Sequence, residues 1–242
     1  MTYWRLLFSV GLFLVVWMLV IQLFQLPAYI LPTPAAVFIS FIDHIGLIAR
    51  NIWPTLLETL LAFLLGSLAG IVAALWVAYS RLARAWFLPL LIISQALPVF
   101  AIAPLLVIWF GYGLMSKVVV ALLMLFFPVA SSFYDGLRKT PIEWQSLGSV
   151  MGASPIRLLW FIRIPAALPA LGSGLRVAAS FAPMGAVIGE WVGSSRGLGF
   201  LMLNANARMQ IDLLFAVLLV LIAMTLILYF GVDKLLKKWI VW

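Results

Sequence analysis

Few side chains in this sequence can do chemistry. Its 242 residues include seven acids, one histidine and no cysteine. Without Cys there is no disulfide scaffold, no thiolate zinc site and no cysteine nucleophile. The single His44 excludes a multi-histidine metal site. No metal or other cofactor is expected. A covalent catalyst needs a nucleophile held beside a base. The acids here, Asp43, Glu58, Asp135, Glu143, Glu190, Asp212 and Asp233, are scattered along the chain. An enzyme is therefore the weakest reading. No Gly-x4-Gly-Lys-Ser/Thr occurs, so the chain has no Walker A loop for ATP. A proton-coupled carrier needs ionisable groups inside apolar runs. Only Glu58, Arg176 and Glu190 qualify. Glu58 follows Pro54 by one turn and reads as an acid complementing a helix N-terminus. Arg176 reads as a snorkelling side chain. Glu190 stands beside Trp191 and is either an interfacial residue or part of an outer gate. His44, next to Asp43, reads as a surface residue.

The elements around these groups are apolar. Hydrophobic residues make up 66% of the chain and charged residues 9%. Soluble domains carry about 25% charged residues. A water-soluble globule this apolar could not cover its own surface. The net charge of +8 then reflects Lys and Arg retained on one side of a bilayer, and no nucleic-acid partner is expected. A spanning helix needs about 20 apolar residues. About six runs qualify: 6–24, 54–79, 87–110, 118–134, 174–190 and 213–232. The first is too long for a signal-peptide core and reads as a retained anchor. One set of inter-span segments holds Arg5, Arg81, Arg84, Arg138, Lys139, Arg157, Arg163, Lys234, Lys237 and Lys238. The opposite set holds only Arg50, Lys117, Arg196 and Arg208. The positive-inside rule puts both termini in the cytoplasm. The fold class is thus all-α and polytopic.

Three features could shape a pathway. The third span holds Pro89, Pro98 and Pro104, with Ser94 and Gln95 beside the break. Freed backbone groups are tolerated against protein or a water-filled cavity. Ser94, Gln95, Pro98 and Glu190 are therefore the pathway candidates; a proline-kinked packing helix is the alternative. Gly66-x3-Gly70, Gly185-x3-Gly189 and Gly189-x3-Gly193 allow close helix contact, either within the chain or across a dimer seam. Trp and Tyr near the span ends, among them Trp4, Trp53, Tyr79, Trp86, Tyr134, Trp191, Trp239 and Trp242, read as interfacial belts.

The stretch between the fourth and fifth spans is too regular for a loop. Thr140 can cap a helix, Pro141 suits its first position and Glu143 completes a capping box. Gly152 suits a left-handed C-terminal turn. Ser154-Pro155 looks like a second start, and Pro165 a stop. Residues 140–165 thus form two short helices joined by a tight turn. They either cap the bundle or dock a partner.

Gly152, nine residues, then Ile162-Arg163-Ile164-Pro165 resembles half of the EAA loop of ABC importer permeases. Ser146-Leu147-Gly148 stands where that loop carries Glu-Ala-Ala. Leu31-Pro32-Thr33-Pro34, Ala96-Leu97-Pro98, Ala103-Pro104-Leu105 and Trp109-Phe110-Gly111 resemble the taurine, nitrate and alkanesulfonate permeases. So do Phe127-Pro128, Asp135-Gly136-Leu137-Arg138 and Gly197-Leu198-Gly199. Residues 204–212 look most like permeases for the pyrimidine precursor of thiamine. The resemblance implies one permease domain over residues 1–242 in a bacterial inner membrane. Its coupling residues would be Glu143, Ser146, Gly152, Ala153, Ser154 and Pro165 within 140–165. Implied partners are two copies of an ATP-binding cassette ATPase, a periplasmic or lipoprotein solute-binding protein and a second permease copy. The implied solute is a hydroxymethyl- or aminopyrimidine, or alternatively taurine, an alkanesulfonate or nitrate. A stand-alone carrier or channel is the rival reading.

Overall fold

The computed structural model describes residues 2–96 and 98–240. Leu97 lies outside them, as do Met1, Val241 and Trp242. The described residues form helices and turns without strands: α1 (Thr2–Phe24), α2 (Pro34–Asp43), α3 (Ile45–Tyr79), α4 (Arg81–Ala96), α5 (Val99–Phe110), α6 (Leu114–Arg138), α7 (Ile142–Val150), α8 (Pro155–Leu158), α9 (Ile164–Gly193), α10 (Leu198–Ala207) and α11 (Ile211–Trp239). A π-turn at Leu159–Arg163 joins α8 to α9, so helix runs unbroken from Pro155 to Gly193. Four of these helices are long and apolar enough to cross a bilayer: α3, α6, the α8–α9 rod and α11.

α6 is the central post, with α3 on one side and α9 on the other. Glycines set both spacings. A Cβ at Gly66 would lie 3.0 Å from Leu125 Cβ, and one at Gly70 would lie 2.9 Å from the Phe126 carbonyl. From the other side, a Cβ at Gly174 would lie 2.8 Å from the Pro128 carbonyl. At Gly185 and Gly189 it would lie 2.8 Å from Ala121 Cα and Lys117 Cα. Apolar surface gains little by leaving lipid, so backbone proximity and van der Waals contact hold such helices together. Gly66, Gly70, Gly185 and Gly189 therefore make contacts within the chain. Gly193 packs on Val107 of α5. The outward faces are apolar: Leu64 is 64% exposed, Ile108 75% and Ile227 74%. Only hydrocarbon or another protein can cover them without cost.

The expected spans shift in identifiable ways. α3 begins nine residues before Pro54, which sits inside the helix. Proline removes one i→i−4 bond there. The carbonyl left free belongs to exposed Arg50 and can be solvated. Glu58 thus lies well inside α3, not in its first turn, and the dipole-complement reading is replaced by the ion pair described below. The third span is two helices, α4 ending at Ala96 and α5 starting at Val99 after an extended Pro98. Pro89 and Pro104 stay inside them. Pro165 does not end a helix. It sits near the start of α9, and the fifth span extends back through the π-turn to Pro155. α2 occupies a stretch for which no helix was expected, with Thr33 Oγ1 accepting from Ala36 N at 3.2 Å and Pro34 in its first turn.

α2, α3, α9, α10 and α11 share one apolar core through Val37, Ile48, Val187, Leu198, Leu201 and Val217. α1 joins it by Trp17, whose ring lies 5.6 Å from that of Phe215. α5 meets α6 and α9 through Ala103, Leu106 and Val120.

Candidate functional site

Two constellations stand at opposite ends of the bundle. The first is the knuckle of residues 140–165. Gly152 has φ +80°. Ala153 N donates to Gly148 O and Gly152 N to Ser149 O, both at 3.0 Å. This is the Schellman arrangement that ends a helix on a left-handed glycine. Gly148, at the third position of the departed Glu-Ala-Ala triplet, is buried where α7 folds back. A Cβ there would lie 2.5 Å from Leu158 Cδ2 and 2.7 Å from Ile162 Cδ1. The start of α7 corrects the capping-box reading. Thr140 Oγ1 instead donates to Leu137 O at 3.2 Å, and no side chain caps α7. Ser154 precedes α8 in extended backbone without a side-chain cap bond. Glu143, Ser146, Gly152 and Ser154 are exposed, while Ala153 and Pro165 are half-buried.

The knuckle is apolar at its tip and braced at its base. Val150 is 87% exposed and Met151 79%. Trp144, Leu147, Phe161 and Pro165 line a groove of about 700 Å3 between α7 and α9. Beneath it, Arg163 donates from Nε and Nη2 to Leu137 O at 3.2 and 3.1 Å. Its Nη1 reaches Ala78 O at 3.5 Å. One guanidinium thus satisfies carbonyls at the C-terminal ends of α3 and α6, where helix dipoles favour a cation. Arg84 donates to the same Ala78 carbonyl at 3.4 Å.

The second constellation is buried at the opposite end. Lys117 Nζ of α6 donates to Glu58 Oε1 of α3 at 2.8 Å. Glu58 and Glu190 are each 1% exposed. Thr55 Oγ1 donates to Glu190 Oε1 at 2.6 Å and accepts from Leu198 N at 2.8 Å. Gly199 N donates to Glu190 Oε2 at 2.5 Å, and Gly197 N to Asn51 Oδ1 at 2.9 Å. The carboxylate of α9 therefore holds the N-terminus of α10, where peptide N–H groups and the dipole favour negative charge. Gly197 has φ +114°, and any Cβ there would overlap the Glu190 carboxylate. A Cβ at Gly199 would lie 2.9 Å from Glu190 Oε2. The Gly197-Leu198-Gly199 sequence is thus the part of the chain that wraps the Glu190 head group.

Of the four pathway candidates, Glu190 sits in this interior, not on an open surface. Pro98 is exposed at the start of α5. The side chains of Ser94 and Gln95 lie outside the described residues. Arg176 is partnered: its Nε donates to Asp233 Oδ1 of α11 at 2.7 Å. His44 is half-buried, with Nδ1 3.0 Å from Ser40 O. Sequence reasoning missed Lys117, Thr55 and Asn51. A lysine opening an apolar run, opposite a run containing one glutamate, was the available signal.

Comparison with known proteins fits this architecture. Residues 66–240 match the family described as binding-protein-dependent transport system inner membrane component. A probable ABC transporter permease protein of Haemophilus influenzae is 53% identical over 234 residues, 97% of this chain and 96% of that protein. The formylaminopyrimidine transport permease ThiX of Halalkalibacterium halodurans is 35% identical, over 77% of this chain and 75% of that one. The riboflavin transport permease RibX of Chloroflexus aurantiacus is 37% identical, over 94% and 87%. The MetNI methionine ABC transporter in an inward-facing conformation shares the fold, with a TM-score of 0.69 at 19% identity. That likeness covers 81% of this chain and 97% of the other. Long apolar helices, a braced terminal knuckle and a match over most of the sequence converge, and the chain belongs to the binding-protein-dependent transport system inner membrane components, the non-catalytic permease subunits of ABC transporters.

Proposed function

We propose that this permease forms, with a second copy of itself, the import path for a small nitrogen heterocycle of the hydroxymethyl- or aminopyrimidine type. A separate ATPase, present as two copies, docks on residues 140–165. A periplasmic or lipoprotein binding protein delivers the solute to the face bearing Lys117 and Glu190. The termini and the knuckle lie in the cytoplasm, in line with the Lys and Arg distribution.

The exposed apolar knuckle is the observation that carries the reading. A rigid turn with Val150 and Met151 at its tip offers a partner a preformed anchor. Gly152, Ala153 and Ser154 set its shape, Glu143 and Ser146 flank it on α7, and Pro165 lines the groove behind it. ATP binding by the partner draws two such knuckles together and rocks the permease copies from inward-open to outward-open. Hydrolysis and release reset them.

The broken third span supports the second copy. α5 has 12 residues and rises about 18 Å, short of the roughly 30 Å hydrocarbon core. A helix break at that depth must face protein or a watery cavity. Ser94, Gln95 and Pro98 border that cavity, while Glu190 anchors the outer gate. The solute class is supported by relatives above one-third identity whose names specify a pyrimidine and a flavin. The taurine transport permease TauC of Escherichia coli is 28% identical over 97% of this chain.

The test is reconstitution of the co-purified complex in vesicles. ATP-dependent uptake of a labelled aminopyrimidine, outcompeting taurine, is expected. Uptake of taurine alone overturns the solute class. Uptake by the purified chain without an ATPase overturns the importer mechanism.

A further inference from the structure

The buried acids hold one oxygen for which the described residues supply no partner. Glu58 Oε1 accepts from Lys117, but no N–H or O–H reaches Glu58 Oε2. That atom belongs to a residue 1% exposed, one turn along α3 from Thr55, whose hydroxyl binds the Glu190 carboxyl across the helix interface. Both Glu190 oxygens already accept, from Thr55 Oγ1 and Gly199 N. Two carboxylate oxygens cannot rest together dry and ionised, because neither donates. One proton between them turns the repulsion into a hydrogen bond, as in paired carboxyl groups elsewhere.

The charge balance points the same way. α3 contributes Glu58, α6 contributes Lys117, α9 contributes Glu190, and α10 contributes only backbone N–H groups. Two ionised acids against one ammonium leave a net buried negative charge. Arg50 and Arg196, at the same end, are exposed and make no bond to either acid. With one shared proton the cluster is neutral, which burial demands. The site is not sealed. Lys117 also lines a polar cavity of about 340 Å3 with Tyr112, Trp191, Ser194 and Ser195. Water entering there stands one side chain away from the acids.

We propose that Glu58 and Glu190 form a proton-binding site that holds a single proton between them, balanced by Lys117, and that this proton latches α10 to α3 and α9. Loss of the proton leaves two like charges facing one another. Glu190 then releases Gly199, and the N-terminus of α10 loosens together with the Thr55 bond to Leu198.

The experiment is infrared difference spectroscopy of the purified permease–ATPase complex, read in light and heavy water. The wild type at neutral pH should show the C=O stretch of a protonated buried carboxyl, shifted by deuteration. Glu58→Gln and Glu190→Gln should each lose that band, since a single remaining carboxylate balances the Lys117 ammonium without a bound proton. Absence of the band in wild type, or its survival in either variant, overturns the proposal. If a variant does not assemble, the wild type alone decides. Raising the pH should remove the band. Amide protection of residues 197–207, corrected for intrinsic exchange, should fall over the same range while α6 stays protected. Protection of α10 that is independent of the band's disappearance overturns the latch.

Discussion

Thr55 shows how much one small side chain can carry in a low-dielectric interior. Its hydroxyl gives its proton to Glu190 and takes one from Leu198 N. Thr55→Val keeps the shape and removes both bonds. Each buried group left unpaired costs about 1–3 kcal/mol. A clear fall in the melting temperature of the complex is expected, and Thr55→Ser should recover most of it. An unchanged melting temperature for Thr55→Val would show that α10 is not held through this residue. Arg163 works the same way at the other end, where a planar fork serves carbonyls of two helices at once. Neither role was legible in the sequence. Both depend on which backbone groups end where, and residue type alone does not reveal that. Gly152 was legible, because a left-handed turn between two helix signals leaves glycine as the natural occupant.

Among the elements, the α3–α6–α9 sandwich is set by backbone contact. Gly70→Val places methyl groups against the Phe126 carbonyl and Val129, and α6 cannot yield without moving the whole post. Overpacking of this kind costs about 1–3 kcal/mol. Less monodisperse protein and a lower melting temperature are the expected readouts. Gly231→Ala is the control: nothing lies within 4 Å of a Cβ there. It should be neutral or stabilise by about 0.5–1 kcal/mol, the ordinary gain on replacing a helical glycine. The knuckle behaves differently. Gly152→Trp keeps the buried bundle intact but strains φ +80° and blocks the tip. Membrane insertion should persist while ATP-driven uptake falls at least tenfold. Full transport by that variant would remove residues 140–165 from the coupling role. Element boundaries were the least legible level. Pro54 and Pro165 each read as a helix end, yet both sit inside continuous helix. Tertiary packing around α6 outweighs a single missing N–H near a solvated end.

For the whole molecule, the absence of cysteine is an advantage to the experimenter. Single cysteines placed at exposed Ser146 and exposed Ser195 report sidedness without background. Ser146→Cys should label only from the cytoplasmic side of sealed vesicles, and Ser195→Cys only from the outside. The reverse pattern would invert the topology inferred from the Lys and Arg distribution. The all-helical membrane class was legible from composition alone, because no soluble packing hides this many apolar side chains. The buried Glu58–Lys117–Glu190 cluster was not. Its members are distant in sequence, and only the glycine spacing that draws α3 and α9 onto α6 brings them together.

The unbroken helix from Pro155 to Gly193 has a mechanical meaning. It starts at the knuckle and carries Glu190 near its far end, about 50 Å away at 1.5 Å per residue. No loop intervenes to absorb a displacement. Pro169 and Pro183 each remove one backbone bond inside it; the π-turn at Leu159–Arg163 is its one non-α segment, and Arg163 clamps it to the ends of α3 and α6. The rod therefore behaves as a lever with its fulcrum one turn above the handle. A small swing at the short arm becomes a larger sweep at the long arm, where the Glu190 carboxyl grips α10.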